Sequence, residues 1–391
     1  MEASIVKRNL RDFDFTLIFI MICISLISCV AVYTSTYGKT DSGIPPHILA
    51  RQVIFELMSY VAMFVVAFMD YRILGKFRWW FYGASLAMLV IVLGVHHTVN
   101  GAHSWLPLGS LTFEPSELMK VAAIIWTADY MARMNERDFP DYSFKALLPI
   151  LAVFIVPFLL IMKEPALGQG LVILAIGYSM LLVYVKKSHA RIMMIGTGAF
   201  LALIILAVGV FPNQAIHLVE HQHLLKPYQS QRIISFLDPG YQPLHAGYAV
   251  MEAQIAVGNG GLFGTGLLHG SQTSGNWVPF QWTDFIFSAI AEQLGFVGGS
   301  VLILLFAVML YRMIRIAMTA VDDFGAYLIT GCIGMFAFQV LENIGMNLAM
   351  TPATGFTLPF ISYGGSSLIV NFISMGLVLS VALRRRTLRF N

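Results

Sequence analysis

The stretch TDFIFSAIAEQLGFVGGSVLILLFAVMLY, residues 283–311, decides the fold class. Between residues 285 and 311 its only charged side chain is Glu292, and the run exceeds the roughly 20 apolar residues that cross a bilayer as a helix. A carboxylate, Asp284, stands at the mouth of this run, where its charge is costly to solvate. The stretch therefore predicts a membrane helix with an ionisable group at one end.

The whole chain has the composition of a membrane protein. Hydrophobic residues make up 58% and charged residues 12% of its 391 residues, which excludes an ordinary soluble domain. We expect an all-α polytopic integral membrane protein that forms a single domain over 1–391, and we interpret the first apolar run as a retained helix because no cleavage site follows it. Ten segments are predicted to span the membrane: 15–34, 50–69, 77–95, 115–132, 146–162, 167–185, 190–211, 285–311, 324–349 and 364–383.

The basic residues predict the orientation of these helices. With the N-terminus in the cytoplasm, most Lys and Arg residues fall in cytoplasmic segments, as the positive-inside rule requires. Ten spans then return the C-terminus, with its Arg384–Arg386 run, to the cytoplasm. Residues 212–284 become one large extracellular loop between helices seven and eight, and loops of that length are usually functional or disordered. Anchoring explains the basic residues, so we expect no nucleic-acid partner.

Parts of this loop carry signals of local structure. Residues 232–243 predict a short helix or strand that ends in an Asp-Pro-Gly turn, and 246–258 has the spacing of a helix lying in the membrane interface. The glycine-dense part, 258–272, would let backbone approach a ligand closely. His217 and His221 are spaced i, i+4; solvated loop histidines are the ordinary interpretation, and a zinc site is the alternative.

Ionisable residues inside predicted spans allow two interpretations each. Glu117 and Lys120 share one helix face at i, i+3, so they either form a buried ion pair or line a polar cavity where Lys120 faces an anionic substrate group. Asp284 is either a helix cap or a functional carboxylate. Glu292 lies about 12 Å further along the helix and about 80° around it, which argues against a paired-carboxylate site. We expect Glu292 to make helix–helix hydrogen bonds.

Small polar residues occupy the last two spans and the loop between them. Asn343, Asn347, Ser362 and Ser366 are typical of interhelical hydrogen bonding. Together they would also polarise the outer half of a cavity, where the serines become candidates for substrate contact.

Several motifs, in order along nearly the whole chain, resemble one known family. They are NGAHSWLPLG (100–109), FEPSELMK (113–120), RIISFLDP (232–239), AQIAVGNGGLFGTGL (253–267), VPFQWTDFIFSAIAEQLGFVG (278–298) and NIGMNLAMTPATGFTLPFISYGGSS (343–367). In them the chain resembles the SEDS family (shape, elongation, division and sporulation), polytopic glycosyltransferases that polymerise peptidoglycan strands from lipid II. The short tails and the TDFIF context resemble the RodA (elongation) branch more than the FtsW (division) branch.

The resemblance implies roles for particular residues. The Asp of the family's Thr-Asp-Phe-Ile-Phe motif, regarded as catalytic, corresponds to Asp284, and the Trp of its Gly-Ala-x-x-Trp loop corresponds to Trp105. The Glu and Lys of Pro-Ser-Glu-x-x-Lys correspond to Glu117 and Lys120. One motif departs from the family: where Gln-Pro-Asp-Leu-Gly-Thr is usual, this chain has EPALGQ, so that Ala166 stands at the acidic position and receives no catalytic role.

The implied reaction joins the 4-hydroxyl of one lipid-linked disaccharide to C1 of another and expels undecaprenyl pyrophosphate. Asp284 would be the general base, with partial burial raising its pKa. Lys120, Arg232 or Lys163, or a divalent cation such as Mg²⁺ or Mn²⁺, would offset charge on the leaving pyrophosphate. Trp105 would stack on a sugar or on the isoprenoid, or else anchor the chain in the interface.

The resemblance also implies a location and a partner. We expect a multi-pass protein of the bacterial plasma membrane whose active site faces outwards, and a class B penicillin-binding protein, a transpeptidase, as partner. Two other function classes fit ten helices with buried polar groups: a lipid II flippase, and a non-enzymatic scaffold for a cell-wall synthase. The polar residues concentrate in the outer halves of the predicted spans and in the external loops, which favours chemistry at the surface over a path through the membrane.

Overall fold

A computed structural model describes residues 13–39, 44, 47–94, 105–108, 111–136, 144–164, 166–211, 214, 216–217, 219, 227–237 and 246–384. Within these residues the chain forms 14 helices and one short hairpin. The helices are α1 (Phe15–Thr36), α2 (Ile48–Phe68), α3 (Arg72–Lys76), α4 (Arg78–Gly94), α5 (Pro115–Asn135), α6 (Phe144–Lys163), α7 (Leu167–Tyr184), α8 (Lys187–Val210), α9 (Pro227–Leu237), α10 (Ala246–Gly260), α11 (Ser271–Ser274), α12 (Ile286–Met318), α13 (Asp323–Asn347) and α14 (Gly365–Arg384). Strands β1 (Leu106–Leu108) and β2 (Leu111–Phe113) pair antiparallel, with Leu106 opposite Phe113.

Each segment predicted to span the membrane is helical in the structure. Among the described helices, seven are long and apolar enough to cross a bilayer, namely α1, α2, α6, α7, α12, α13 and α14, and α4 is apolar but shorter. The prediction of an all-α polytopic membrane protein is therefore confirmed. The count of ten spans, the orientation and the extent of the extracellular loop stay predictions.

Three helices form the inside of the bundle. α13 packs against α5, α7 and α12, and α14 packs along the length of α2. α5 is buried on almost every face although it carries Glu117, Lys120 and Asp129. A helix that is buried all round needs neighbours on every side. The remaining helices therefore cover α5, α13 and α14 and present apolar side chains outwards, among them Phe19, Val61 and Leu304.

Ion pairs gather at the helix ends that the positive-inside rule places in the cytoplasm. Of the five such pairs among the described residues, four join the region before α1 to the end of α12, or the α3–α4 region to α5, α13 and α14, and the fifth lies within α5. The pairs are Asp14–Arg312, Arg72–Asp322, Arg78–Asp129, Arg133–Asp129 and Arg384–Asp70. Lys7, Arg8, Arg11 and Arg137, which also supported the predicted orientation, lie outside the described residues.

The longest helix, α12, is broken at Gly295, whose φ of 67° and ψ of −166° are not helical. At 33 residues, α12 would measure about 50 Å as one straight helix, well beyond a hydrocarbon core of about 30 Å. The 23 residues after the break are enough to cross that core. The part before the break, Ile286 to Leu294, lies against the end of α10, where a Cβ at Gly260 would be 2.0 Å from the Ala291 carbonyl oxygen. It also contacts α13, because the Ser288 amide donates to Asn347 at 3.0 Å.

The glycine-dense segment satisfies the backbone at this break. The amides of Thr265 and Gly266 donate to the carbonyls of Glu292 and Gln293 at 2.9 and 3.1 Å. In the opposite direction, the amides that follow the break, at Phe296 and Val297, donate to the carbonyls of Gly261 and Leu262 at 2.9 and 3.1 Å. An interrupted helix is tolerated in a membrane protein only where protein groups satisfy the freed backbone.

This arrangement gives the glycines of 258–272 a structural role, because they let backbone approach another part of the chain. A role toward a ligand stays a prediction. A Cβ at Gly264, whose φ is +83°, would lie 2.1 Å from the carbonyl oxygen of Gln293, and a Cβ at Gly295 would lie 2.3 Å from the Gly264 amide nitrogen. Only glycine leaves room for these contacts.

The predicted loop elements are present in part. Helix α10 confirms the helix predicted at 246–258, and α9 shows that the segment from Arg232 to Leu237 is helical, not extended. The turn at 238–243 lies outside the described residues, as does His221.

We expect Gly264→Ala to destabilise the protein by about 2 kcal/mol, because overpacking against backbone cannot be relieved by a side-chain rotation and φ is positive. Thermal unfolding in detergent should show a lowered midpoint. Gly258→Ala is the matched control, because a Cβ there meets nothing within 4 Å. Equal midpoints for the two variants would contradict the proposed role of the glycine contact.

Candidate active site

Asp284 lies in a turn that leads directly into α12. The helix begins at Ile286, and Phe285, at the cap position, makes no side-chain capping bond. The interpretation of Asp284 as the helix cap is therefore wrong, because its position is one residue too early. Asp284 is half-buried as a residue.

The backbone of this turn is held at consecutive carbonyls by residues from distant parts of the chain. The Trp282 carbonyl accepts from the Tyr363 amide at 2.9 Å, and the Thr283 carbonyl accepts from the Ser362 hydroxyl at 2.5 Å. Asparagine amides on α13 donate to the Asp284 carbonyl. Their distances are 2.9 Å for Asn343 and 3.2 Å for Asn347.

The two asparagines also fix one another and the first turn of α12. Asn347 donates to the Asn343 carbonyl at 2.8 Å and accepts from the Ser288 amide at 3.0 Å, while Asn343 donates to the Phe356 carbonyl at 2.7 Å. Both asparagines are fully buried. From the sequence they looked like ordinary interhelical contacts; the available signal was the i, i+4 spacing of two amide side chains on one predicted span.

Arg232, on α9, is the cation that acts on Asp284. Its Nη1 donates to the Ala353 carbonyl at 3.0 Å, and a Cβ at Gly355 would lie 2.7 Å from that nitrogen, so the guanidinium lies against the loop before α14. Burial raises the pKa of Asp284, whereas the positive charge of Arg232 and a hydrogen bond from Thr283 lower it. Burial in turn lowers the pKa of Arg232, and Asp284 opposes that shift.

A second polar cluster joins α5 to α7. Glu117 and Lys120 form a fully buried ion pair at 2.7 Å, and Gln169 donates to Glu117 at 2.8 Å. Just before α5, Glu114 accepts from the Ser116 hydroxyl at 2.8 Å, and burial, with a contribution from Glu117, raises the pKa of Glu114 to about 7. The structure thus shows the buried ion pair, and a role for Lys120 toward a substrate stays a prediction.

The other predicted site residues are dispersed. Ser362 lies in the turn before α14 and binds the Asp284 turn at the Thr283 carbonyl. The Ser366 hydroxyl is buried at the start of α14 and has no hydrogen-bond partner in the part of the chain that the structure describes. Trp105 is half-buried directly before β1, and Lys163 is exposed at the end of α6.

Glu292 has a structural role that differs from the one predicted. Its carboxylate accepts from the amides of Gln272 and Thr273 at 2.8 and 2.7 Å and from the Thr273 hydroxyl, all at the start of α11. It therefore binds a loop segment and not a second membrane helix.

The described residues contain no cluster of three or more His, Cys, Asp or Glu side chains that could hold a metal ion. The donor set around Asp284 consists of one carboxylate, asparagine amides and a guanidinium, which does not fit a divalent cation.

Comparison with known proteins agrees with the motifs. The family model for cell cycle proteins of the FtsW, RodA and SpoVE type matches residues 14–387. The chain belongs to this family, the SEDS family.

Named relatives come from several branches of the family. The chain is 34% identical to stage V sporulation protein E of Bacillus subtilis, over 94% of this chain and 96% of that protein. It is 33% identical to a probable peptidoglycan glycosyltransferase FtsW of Nitrosomonas europaea (97% and 95%), and 31% identical to the peptidoglycan glycosyltransferase MrdB of Escherichia coli K12 (96% and 95%).

Solved structures show the same fold. A chain from a study of polymerisation and crosslinking by a peptidoglycan synthase complex matches with a TM-score of 0.74 and 30% identity, covering 95% of this chain and 97% of that chain. The rod shape determining protein RodA of Thermus thermophilus matches with a TM-score of 0.65 and 27% identity, covering 96% and 98%.

We expect Asn343→Leu to lower peptidoglycan glycosyltransferase activity about tenfold or more. The substitution removes one hydrogen-bond donor from the Asp284 carbonyl and the donor that Asn343 gives to the Phe356 carbonyl. An unsatisfied buried group costs about 1–3 kcal/mol, so the turn should shift and move the Asp284 carboxylate away from its reactive position, which raises the barrier. Asn371→Leu, a buried asparagine on α14 bonded to Ser367, is the matched control. Equal losses of activity in the two variants would mean that Asn343 only supports packing.

Proposed function

We propose that this protein is a peptidoglycan glycan-strand polymerase that uses lipid II, with Asp284 as general base. The observation that carries the proposal is the geometry of the turn, which fixes the backbone of Asp284 at the mouth of a membrane helix, where the charge of Arg232 acts on its carboxylate. The names of the relatives and the shared fold support the same activity.

The proposed step is a single displacement. The 4-hydroxyl oxygen of the acceptor sugar attacks C1 of the donor sugar, the bond from C1 to the pyrophosphate oxygen breaks, and undecaprenyl pyrophosphate leaves with the bonding electrons. The proton of the attacking hydroxyl passes to the Asp284 carboxylate. A sugar hydroxyl is a weak nucleophile, so a positioned base should contribute about 10²–10⁴-fold to the rate. A raised pKa makes Asp284 a stronger base than an exposed aspartate.

The leaving pyrophosphate needs positive charge. Arg232 is the strongest candidate, because it already acts on Asp284 and its planar guanidinium suits paired phosphate oxygens. The Lys120 ammonium is committed to Glu117 inside the bundle, so a phosphate contact there would require that pair to open. Lys163 is exposed at the end of α6 and stays a secondary candidate.

Family membership also supports proposals for location, partner and branch. The chain is a multi-pass membrane protein, and we propose that the Asp284 turn faces the outside of the plasma membrane. A class B penicillin-binding protein is the proposed partner, supported by the structural match to a chain from a peptidoglycan synthase complex that couples polymerisation with crosslinking. A role in elongation and cell shape rests on the TDFIF context. Relatives from sporulation, division and shape determination are similar to nearly the same degree.

We expect purified Asp284→Asn to lose lipid II polymerisation by about 10²–10⁴-fold while keeping its fold, because the amide cannot accept the hydroxyl proton. The assay follows labelled lipid II with and without the penicillin-binding protein. Asp70→Asn, an ion-paired carboxylate at the opposite end of the bundle, should keep the wild-type rate.

A wild-type rate for Asp284→Asn would show that the base assignment is wrong. A wild-type protein that moves lipid II across liposome membranes, yet never polymerises it with its partner, would favour the flippase.

A further inference from the structure

A buried line of polar groups runs from α2 through α1 to the turn before α14. Gln52 Nε2 donates to the Ser28 hydroxyl oxygen at 2.9 Å, and the Ser28 hydroxyl donates to the Ile361 carbonyl at 2.8 Å. Gln52, Ser28 and Ile361 are all fully buried. Neither side chain belongs to a motif discussed above, and the proposed chemistry does not use either of them.

The direction of these bonds leaves little freedom. A serine hydroxyl has one hydrogen, and Ser28 gives it to Ile361, so Ser28 can only accept from Gln52. Gln52 Nε2 also contacts Glu56 Oε1 at 3.4 Å, which keeps the amide nitrogen of Gln52 on the side of Ser28. Glu56 therefore orients Gln52, and Gln52 orients Ser28.

The residue before Ile361 explains why this turn needs support. Phe360 has a φ of +65°, a left-handed conformation that is unfavourable for a bulky side chain. Its ring packs between Phe336 and Phe372, with centroids 5.0 and 5.3 Å away. Strained backbone persists only where its surroundings hold it from several sides. The bond from Ser28 supplies one of these restraints at the adjacent carbonyl.

The same turn holds the Asp284 segment. Ser362 and Tyr363, which follow Ile361 directly, bind the Thr283 and Trp282 carbonyls. The Ser362 hydroxyl also accepts from the Leu358 amide at 2.8 Å, which ties its orientation to the fold of the turn. A shift at Ile361 would therefore move both groups that hold the backbone before Asp284.

We propose that Gln52 and Ser28 are positioning residues for Asp284, acting across α1 through the 358–363 turn. The expected effect on the reaction rate rests on the proposed function, whereas the effect on the position of the turn rests on the hydrogen bonds alone. The first two membrane helices thus take part in the placement of a carboxylate that lies more than 200 residues later in the sequence.

The kinetic test compares Ser28→Ala, Ser28→Thr and Gln52→Leu in lipid II polymerisation with the partner present. We expect kcat to fall about tenfold in Ser28→Ala and Gln52→Leu, the effect of about 1.4 kcal/mol on the barrier, with KM for lipid II within about twofold of wild type. Ser28→Thr keeps a hydroxyl and should retain most of the rate. The double variant should be no slower than Ser28→Ala, because both substitutions interrupt one line.

Ser59→Ala is the control, since this buried α2 serine has no hydrogen-bond partner among the described residues, and it should leave kcat unchanged. A general loss of packing would lower the rate of Ser28→Thr and of the control as well. Wild-type kcat in Ser28→Ala, or additive losses in the double variant, would overturn the proposal.

The second test does not depend on catalysis. Hydrogen–deuterium exchange followed by mass spectrometry should show faster amide exchange in Ser28→Ala than in wild type or Ser59→Ala, in peptides covering 358–363 and 280–285. Unchanged exchange in both peptides would overturn the proposal. Faster exchange together with a fully active Asp284→Asn protein would leave the structural link in place and would instead show that the proposed base is wrong.

Discussion

The structure depends on one constraint: the backbone at the mouth of α12 must find hydrogen-bond donors away from bulk water. An unpaired carbonyl in such a place costs free energy, so each one is a point at which the rest of the protein can hold the chain. The Trp282, Thr283 and Asp284 carbonyls take their donors from α13 and from the turn before α14. The same bonds that satisfy the backbone therefore place the Asp284 carboxylate.

The break at Gly295, nine residues after the start of α12, also frees backbone groups that need hydrogen-bond partners away from bulk water. The freed carbonyls and amides pair with 261–266, so the long loop is built into the membrane domain at a defined point. The segment from Asp284 to Gly295 is therefore fixed at both ends: the asparagines of α13 bind the Asp284 carbonyl, and the glycine segment binds the backbone around Gly295. A rigid support of this kind suits a general base, whose efficiency depends on its position.

Much of the fold was predictable because helices in a membrane need long apolar runs, and each predicted span is indeed a helix. The importance of Asp284 came from its motif, while the ion pair of Glu117 and Lys120 followed from their spacing. The partners of Asp284 were not predictable, since Asn343 and Ser362 lie 59 and 79 residues away from the atoms they bind. Periodicity reports which face is buried, but not which distant carbonyl a buried amide will meet. The backbone contact of 261–266 with α12 was not predictable for the same reason.

The pH dependence of kcat/KM for lipid II polymerisation, compared between wild type and Arg232→Gln, tests the central claim most directly. A base works only when deprotonated, so kcat/KM should fall as the pH drops through the pKa of Asp284 in the free enzyme, which burial places above the ordinary 3.8. Arg232 lowers that pKa, so removing its charge should move the acid limb to higher pH. An acid limb at the same pH in both proteins, or at lower pH in the variant, would contradict the account of Asp284 as a base governed by Arg232.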